Sequence, residues 1–118
     1  DYEPGILSAR YAGSNATDKD NRDKIIEKIK CQKKNLLHAY YECFLVCIFN
    51  IKNIIITSGR CKGYVSVDSS GDGGFGYDKI FYPNGYSVSM ASIDAEEKNR
   101  ISHRGIAAKS FIKELEKL

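Results

Sequence analysis

The sequence lacks an apolar run long enough to cross a membrane, and its opening is not typical of a signal peptide. The longest apolar run, Phe44–Phe49, is far shorter than the about 20 residues that a spanning helix needs. The chain opens with Asp1-Tyr2-Glu3 instead of the basic and apolar regions of a signal peptide. We therefore expect a soluble cytoplasmic protein that makes no membrane contact.

A strong net charge is also missing. The formal charge is +3, and the basic residues are spread along the chain apart from those between Lys28 and Lys34. Cations are favourable near the C-terminal end of a helix. This cluster is therefore better explained as a solvated helix end than as a site for nucleic-acid phosphates, and we expect no nucleic-acid partner.

The four cysteines form no CxxC pair, and His38 and His103 are far apart in sequence. If Cys43 and Cys47 share a strand, their Cα atoms are roughly 13 Å apart at about 3.3 Å per residue. That separation is too long for a disulfide or a shared metal ion. We expect reduced, buried cysteines, as is usual in the cytoplasm.

The rest of the composition is typical of a globular protein. The 118 residues are 42% hydrophobic and 28% charged, which is enough to bury a core, and we expect residues 1–118 to form one domain. A helix is predicted from about Lys19, with Thr17 or Asp18 as its N-cap. Its apolar face consists of Ile25, Ile26 and Ile29.

The middle of the chain is predicted to form strands. Tyr40–Phe49 is continuously apolar and rich in β-branched and aromatic residues, so we expect it inside a sheet that is covered on both faces. A turn at Asn50–Asn53 leads to its hairpin partner, Ile54–Thr57. After a bend between Gly59 and Gly63, shorter strands follow at Tyr64–Val67 and Lys79–Tyr82.

Two helices complete the predicted order. Asp94 and Glu97 are typical of a capping box for a short helix that ends near Ile101. Ser102 is expected to cap the final helix. Its apolar stripe consists of Ile106, Ala107, Phe111, Leu115 and Leu118. The predicted fold class is therefore α/β, with sheet and helices in layers.

The stretch Gly71–Asp78, GDGGFGYD, is the most unusual in the chain. Its GxGxxG spacing matches the dinucleotide fingerprint, but that fingerprint requires a helix after the glycines, and here a strand is predicted. A kinase glycine loop is excluded because no catalytic-loop or magnesium motif follows. A hairpin connection, with Phe75 and Tyr77 as ordinary core or cross-strand aromatics, remains open.

His103 and Arg104 fall in the first turn of the predicted final helix. Cations there oppose the helix dipole, whereas electron-rich ligand atoms suit a helix N-terminus. A placement that gains no stability is a hint of function, and chance placement at a solvent-exposed position is the alternative.

Three motifs, in this order, resemble the inosine triphosphate pyrophosphatase family. They are GFGYD at Gly74–Asp78, EEKN at Glu96–Asn99 and SHRG at Ser102–Gly105, and Pro4–Gly13 with Ala16–Asp18 is similar to the bacterial branch. The resemblance implies a mixed twisted sheet flanked by helices, as in the Maf-like folds. It also implies a hydrolase that converts dITP, ITP and XTP to the monophosphate and pyrophosphate.

The resemblance further implies which residues bind the purine. Phe75 would stack on the base, and Asp78 and Lys98 would hydrogen-bond it or hold the pocket. Arg104 would donate to O6 and N7 of a 6-keto purine, where adenine offers a donor at position 6 instead. The full set is Phe75, Gly76, Tyr77, Asp78, Lys98, Ser102, His103 and Arg104.

Two departures from the family pattern bear on catalysis. Lys79 stands where the family usually has proline. The family's Ser-Gly-Asn-x-x-Lys triphosphate loop, its metal-binding glutamate and its Asp-Asp-Ser-Gly stretch are absent from the sequence and would precede Asp1. We therefore expect Mg²⁺ as cofactor but no catalytic or metal-binding residue in this chain. Its available acids are interpreted as solvated turn or cap residues: Asp18, Asp20, Asp68 and Asp72.

The sequence thus predicts the base-recognition half of a purine nucleoside triphosphate pyrophosphatase. The alternative is a catalytically inactive nucleotide-binding fragment or remnant. A homodimer is what the family implies for the complete enzyme. Without the N-terminal segment, one side of Tyr40–Phe49 would be uncovered, so we expect Phe44 and Val46 to be exposed and the chain to associate.

Overall fold

The computed structural model describes residues 3–118. The elements in chain order are a 3₁₀ helix at Gly5–Arg10, α1 at Asp18–Cys31, β1 at Leu36–Asn50, β2 at Asn53–Ser66, β3 at Phe81–Pro83, a 3₁₀ helix at Met90–Ser92, α2 at Ala95–Ile101 and α3 at His103–Leu115. The three described strands form one sheet in the order β1-β2-β3, and β3 runs antiparallel to β2 with Tyr82 opposite Tyr64. This combination of sheet and helices confirms the predicted α/β class.

The chain divides into two compact units. The first contains the described part of Asp1–Ala39 together with Gly63–Ile93, and the second contains Tyr40–Lys62 together with Asp94–Leu118. Both long strands pass from one unit into the other, so each unit holds part of β1 and part of β2. Each unit is described below by itself.

In the first unit, α1 begins where the cap residues predict it. The Thr17 hydroxyl accepts a hydrogen bond from Asp20 N, and the Asp20 carboxylate accepts one from Thr17 N. Two orphan donors at the helix start are thereby satisfied. Ile25 and Ile29 are buried against Ile80, which confirms the predicted apolar face of the helix.

β3 is shorter than predicted and begins at Phe81. The preceding residues form a turn, in which the backbone N–H of Ile80 donates to Tyr77 O over 3.0 Å. The rings of Tyr64 and Tyr82 stack with centroids 5.2 Å apart, and this cross-strand pair joins β2 to β3.

The prediction that the strand at Tyr40–Phe49 is covered on both faces is wrong. Exposed and half-buried residues alternate along β1, and Phe44 and Ile48 keep 66% and 68% of their surface exposed. In the second unit, α3 packs against β2 at Thr57 and Gly59. The expected exposure of Phe44 and Val46 is confirmed.

The predicted bend between Gly59 and Gly63 is also wrong, because β2 continues through both glycines. A side chain at Gly59 would meet the backbone N of Ala107 at 2.6 Å, and one at Gly63 would meet the backbone of Tyr82 and Pro83. These glycines therefore give room for another backbone to approach the strand and do not form a turn.

In the second unit, the buried hydroxyl of Thr57 ties the hairpin to α3. It donates to Ala107 O over 2.9 Å, and Ala107 is fully buried, as its place in the predicted stripe requires. Asp94 caps α2 by accepting from Glu97 N, as predicted. Leu118 lies beyond the end of α3 and is exposed, so the helix is shorter than the predicted stripe.

The four cysteines all lie in the described range and are free thiols. Cys61 is buried, whereas Cys43 and Cys47 are only half-buried and Cys31 is exposed. The expectation of four buried cysteines is therefore wrong, most clearly for Cys31 at the end of α1. No helix within residues 3–118 combines the length and apolar character needed to cross a membrane.

Thr17→Ala should destabilise the protein by about 1 kcal/mol, because it leaves the Asp20 N–H without its cap acceptor. The free energy of unfolding should be measured by urea titration followed by circular dichroism. Ser14→Ala, in the exposed segment before the helix, is the control and should change the free energy much less. Equal effects of the two substitutions would contradict the role of the capping box.

Candidate functional site

The glycine-rich stretch closes a tight turn over Phe75–Asp78 in the first unit. The Asp78 carboxylate accepts a hydrogen bond from Phe75 N at 3.2 Å, and Asp78 N donates to Phe75 O at 3.1 Å. Asp78 is buried, with 5% of its surface exposed. Its carboxylate therefore compensates a backbone N–H inside the turn.

The turn presents Phe75 at the surface. This side chain keeps 56% of its area exposed, whereas Tyr77 is half-buried and packs against the isoleucine cluster of the first unit. Phe75 is therefore not an ordinary core residue, whereas Tyr77 is part of the core on one side. An exposed ring on a hydrogen-bonded turn can stack on a flat ligand.

Gly76 connects the two aromatics and contacts α1. Its φ of +60° is readily accessible only to glycine. Its N–H donates to Asp18 Oδ2 over 2.9 Å, and its carbonyl accepts from Arg22 Nη1 over 2.8 Å. Asp18 is exposed, as expected of a solvated residue, but it is the first residue of α1 and not its cap, and its carboxylate has a backbone partner. Sequence reasoning also missed Arg22, since nothing in a helical pattern indicates a partner 54 residues away.

Tyr77 anchors the turn to the N-terminal part of the chain. Its hydroxyl donates to Ser8 O over 2.6 Å. Burial, together with the nearby Tyr11 and Asp18, raises the pKa of Tyr77 from 10.0 to about 12. The neutral phenol is thus the favoured form, because a phenolate here would lose solvation and face other negative charges.

The second group of predicted site residues lies where α2 meets α3 in the second unit. Ser102 is buried and caps α3, with its hydroxyl accepting from Gly105 N at 3.0 Å. A side chain at Gly105 would meet the backbone carbonyl of Asn99, so only glycine allows the end of α2 to approach so closely. This junction fixes the direction of the first turn of α3.

His103 and Arg104 follow Ser102 in that first turn, as predicted. The imidazole of His103 is half-buried and stacks on the ring of Tyr41, with centroids 4.8 Å apart and planes 13° apart. Arg104 is exposed. Lys98 is half-buried on α2, where its backbone carbonyl accepts from Ser102 N at 2.8 Å. Lys98, Ser102, His103 and Arg104 therefore belong to one local structure.

Within residues 3–118, no group of three or more His, Cys, Asp or Glu side chains is placed to hold a metal ion. The Asp20 carboxylate accepts the Thr17 N–H in the capping box of α1. The backbone N–H of Asp68 donates to Ser66 Oγ, and its carbonyl accepts from Tyr82 Oη. These observations agree with the interpretation of Asp20 and Asp68 as cap and turn residues.

Each unit, taken by itself, exposes one group that can contact a ligand. The first unit offers an exposed aromatic ring on a fixed turn, and the second offers a guanidinium at a helix N-terminus. A guanidinium there can donate two parallel hydrogen bonds to adjacent acceptors, and a ring can stack on a base of any kind.

The comparisons with known proteins give the family of the chain. The model of the Ham1 family matches residues 1–114, so the chain belongs to the Ham1 family. This confirms the resemblance to the inosine triphosphate pyrophosphatases on which the site residues were predicted.

Proteins named dITP/XTP pyrophosphatase are similar to almost the whole chain. The one from Methylacidiphilum infernorum is 39% identical over 92% of this chain and 54% of its own length, and the one from Photorhabdus laumondii is 40% identical over 92% and 56%. A HAM1 protein from Coxiella burnetii has a TM-score of 0.90 at 34% identity, over 98% of this chain and 60% of its own. The chain therefore spans little more than half the length of the relatives it matches.

The raised pKa of Tyr77 predicts a loss of stability at high pH. A neutral phenol stabilises the fold fully below pH 10, and this contribution is lost as the pH rises through the folded-state pKa of about 12. Tyr77→Phe should therefore lower the free energy of unfolding at pH 8 by about 0.5–1.5 kcal/mol, and the difference from wild type should shrink towards pH 12.

Urea titrations between pH 8 and 12 measure this difference. Tyr40→Phe, on β1 of the second unit, is a control with the same loss of a hydroxyl. A difference between wild type and Tyr77→Phe that stays constant over the whole range would show that the ionisation of Tyr77 is not linked to folding.

Proposed function

We propose that this chain is the base-recognition part of a nucleoside triphosphate pyrophosphatase that acts on dITP, ITP and XTP. The products would be the nucleoside monophosphate and pyrophosphate. Membership of the Ham1 family and the names of the related proteins support this activity. The observation that carries the proposal for this chain is the exposed ring of Phe75 on a turn held by hydrogen bonds between Phe75 and Asp78.

In this proposal, Phe75 stacks on the purine and Arg104 reads its edge. A 6-keto purine offers acceptors at O6 and N7, and adenine replaces the first with a donor. Asp78 and Gly76 hold the turn, and Tyr77 anchors it. In the second unit, Ser102 caps α3, while Lys98 and His103 contribute to the binding surface beside Arg104. The assignment of both groups to one purine is supported by the order and spacing of their motifs in the sequence.

Magnesium-assisted chemistry belongs to the proposed activity, but the residues described here do not fit the metal. Residues 3–118 place no cluster of three or more ligating side chains together. We therefore assign neither Mg²⁺ ligands nor a catalytic acid to this chain. Phosphate handling and water activation would rest on residues other than the 118 of this sequence. A cytoplasmic homodimer that acts on free nucleotides, and not on nucleic acid or membranes, completes the proposal.

The test of base recognition is binding of nucleoside monophosphates to the purified chain. Isothermal titration calorimetry should give a Kd for inosine and xanthosine monophosphate at least about tenfold lower than the Kd for adenosine monophosphate, since one bidentate pair discriminates by about 1–3 kcal/mol. Equal binding of all three nucleotides, or binding of none, would contradict the proposed function.

The absence of a ligand cluster in the described residues also supports a second candidate, an inactive nucleotide-binding fragment. The two candidates differ in hydrolysis of ITP. The coding sequence before Asp1 distinguishes them: Ser-Gly-Asn-x-x-Lys and Asp-Asp-Ser-Gly motifs there support the enzyme. Pyrophosphate release from ITP and Mg²⁺ by the product of that whole reading frame is the direct assay.

Arg104→Lys should reduce the preference for 6-keto purines. An ammonium is a point donor and cannot contact O6 and N7 together, so the Kd for inosine monophosphate should rise about tenfold. The Kd for adenosine monophosphate should rise much less. Phe75→Ala should weaken both nucleotides alike, because stacking does not depend on the base edge.

Arg100→Lys is the matched control for Arg104→Lys. Arg100 is on the surface of α2, where it pairs with Glu97, and its replacement should leave both Kd values unchanged. If Arg104→Lys raises the two Kd values by the same factor, Arg104 does not read the base edge.

A further inference from the structure

One glycine of the turn is held on both sides by a single face of α1. Gly76 N donates to Asp18 Oδ2 over 2.9 Å, and Arg22 Nη1 donates to Gly76 O over 2.8 Å. Asp18 and Arg22 are four residues apart in α1, so their side chains lie on the same face of the helix, one turn apart. The two side chains therefore form a clamp on Gly76.

The clamp acts on the two peptide planes that flank Gly76. The bond from Asp18 fixes the plane between Phe75 and Gly76, and the bond from Arg22 fixes the plane between Gly76 and Tyr77. Glycine itself has weak backbone preferences, and the φ of +60° must therefore be selected by contacts from outside. Asp18 and Arg22 supply those contacts.

The plane held by Asp18 also determines where Phe75 points. Phe75 has its own N–H bonded to the Asp78 carboxylate, so both of its peptide planes are constrained, one by Asp78 and one by Asp18. Asp78 lies within the turn, whereas Asp18 belongs to a helix that is packed into the core of the first unit through Ile25 and Ile29. Asp18 therefore fixes the direction of the Phe75 ring relative to α1.

We propose that Asp18 and Arg22 are positioning residues for purine binding, which act through Gly76 on the exposed ring of Phe75. This inference rests on the proposed function, since it takes Phe75 as the stacking platform. Loss of the clamp lets the turn sample other conformations. If the competent conformation falls to about a tenth of the population, the apparent Kd rises about tenfold.

The experiment compares the affinity for inosine monophosphate between variants of the whole 118-residue chain. Asp18→Ala and Arg22→Ala should each raise the Kd about tenfold, and Asp18→Asn, which keeps an acceptor oxygen, should restore most of the affinity. Asp23→Ala and Lys19→Ala are matched controls. They make the same charge changes on the same helix, in an exposed ion pair of 2.7 Å, and should leave the Kd unchanged.

A double-mutant cycle separates positioning from a merely structural role. If Asp18 acts through Phe75, Asp18→Ala should raise the Kd about tenfold in the wild-type background and less than about twofold in the Phe75→Ala background. A general loss of structure would weaken binding equally in both backgrounds. Circular dichroism should confirm folding, and if Asp18→Ala fails to fold, the cycle with Arg22→Ala decides.

The possible outcomes are distinct. No binding of inosine monophosphate by the wild-type chain would overturn the proposed function and this inference with it. Normal wild-type binding that Asp18→Ala and Arg22→Ala leave unchanged would overturn the clamp alone. So would an equal loss in the Phe75→Ala background, or a loss in the two control variants as large as in the clamp variants.

Discussion

The structure of the glycine-rich turn depends on side chains that satisfy its backbone polar groups. Gly71–Asp78 lies outside helix and strand, so its N–H and C=O groups have no regular ladder to join. Carboxylates accept hydrogen bonds from two of these N–H groups: Asp78 accepts from Phe75 N, and Asp18 accepts from Gly76 N. With these donors satisfied, a segment rich in glycine can keep one conformation.

Hydrogen bonds to the backbone also hold the second group of predicted site residues in place. The Ser102 hydroxyl caps α3, and the backbone N–H of Ser102 bonds to α2 through Lys98 O. Thr57 joins the hairpin to α3 at Ala107. These contacts use the backbone and the short side chains, which leaves the longer side chain of Arg104 at the surface. In both groups, then, the residues that hold the structure differ from those that face solvent and could meet a ligand.

Local signals in the sequence predicted the starts of the helices correctly. Thr17, Asp94 and Ser102 are N-caps in the structure, because capping is a contact between residues two or three positions apart. The motifs that carry the family resemblance were also readable, since each is a short contiguous run. The sheet was predicted less well. Glycines at 59 and 63 were taken as a bend, although each leaves room for a backbone that is distant in sequence.

The sequence by itself determined the α/β class, the capped helices, the family and the candidate purine-binding residues, because all of these rest on local patterns. The tertiary structure alone decided which face of β1 is covered and which partners Gly76 has. Apolar composition does not reveal how many faces of a strand are packed, as the exposure of Phe44 shows. Helical periodicity likewise cannot reveal that Asp18 and Arg22 reach a glycine more than 50 residues away, because such contacts exist only once the chain has folded.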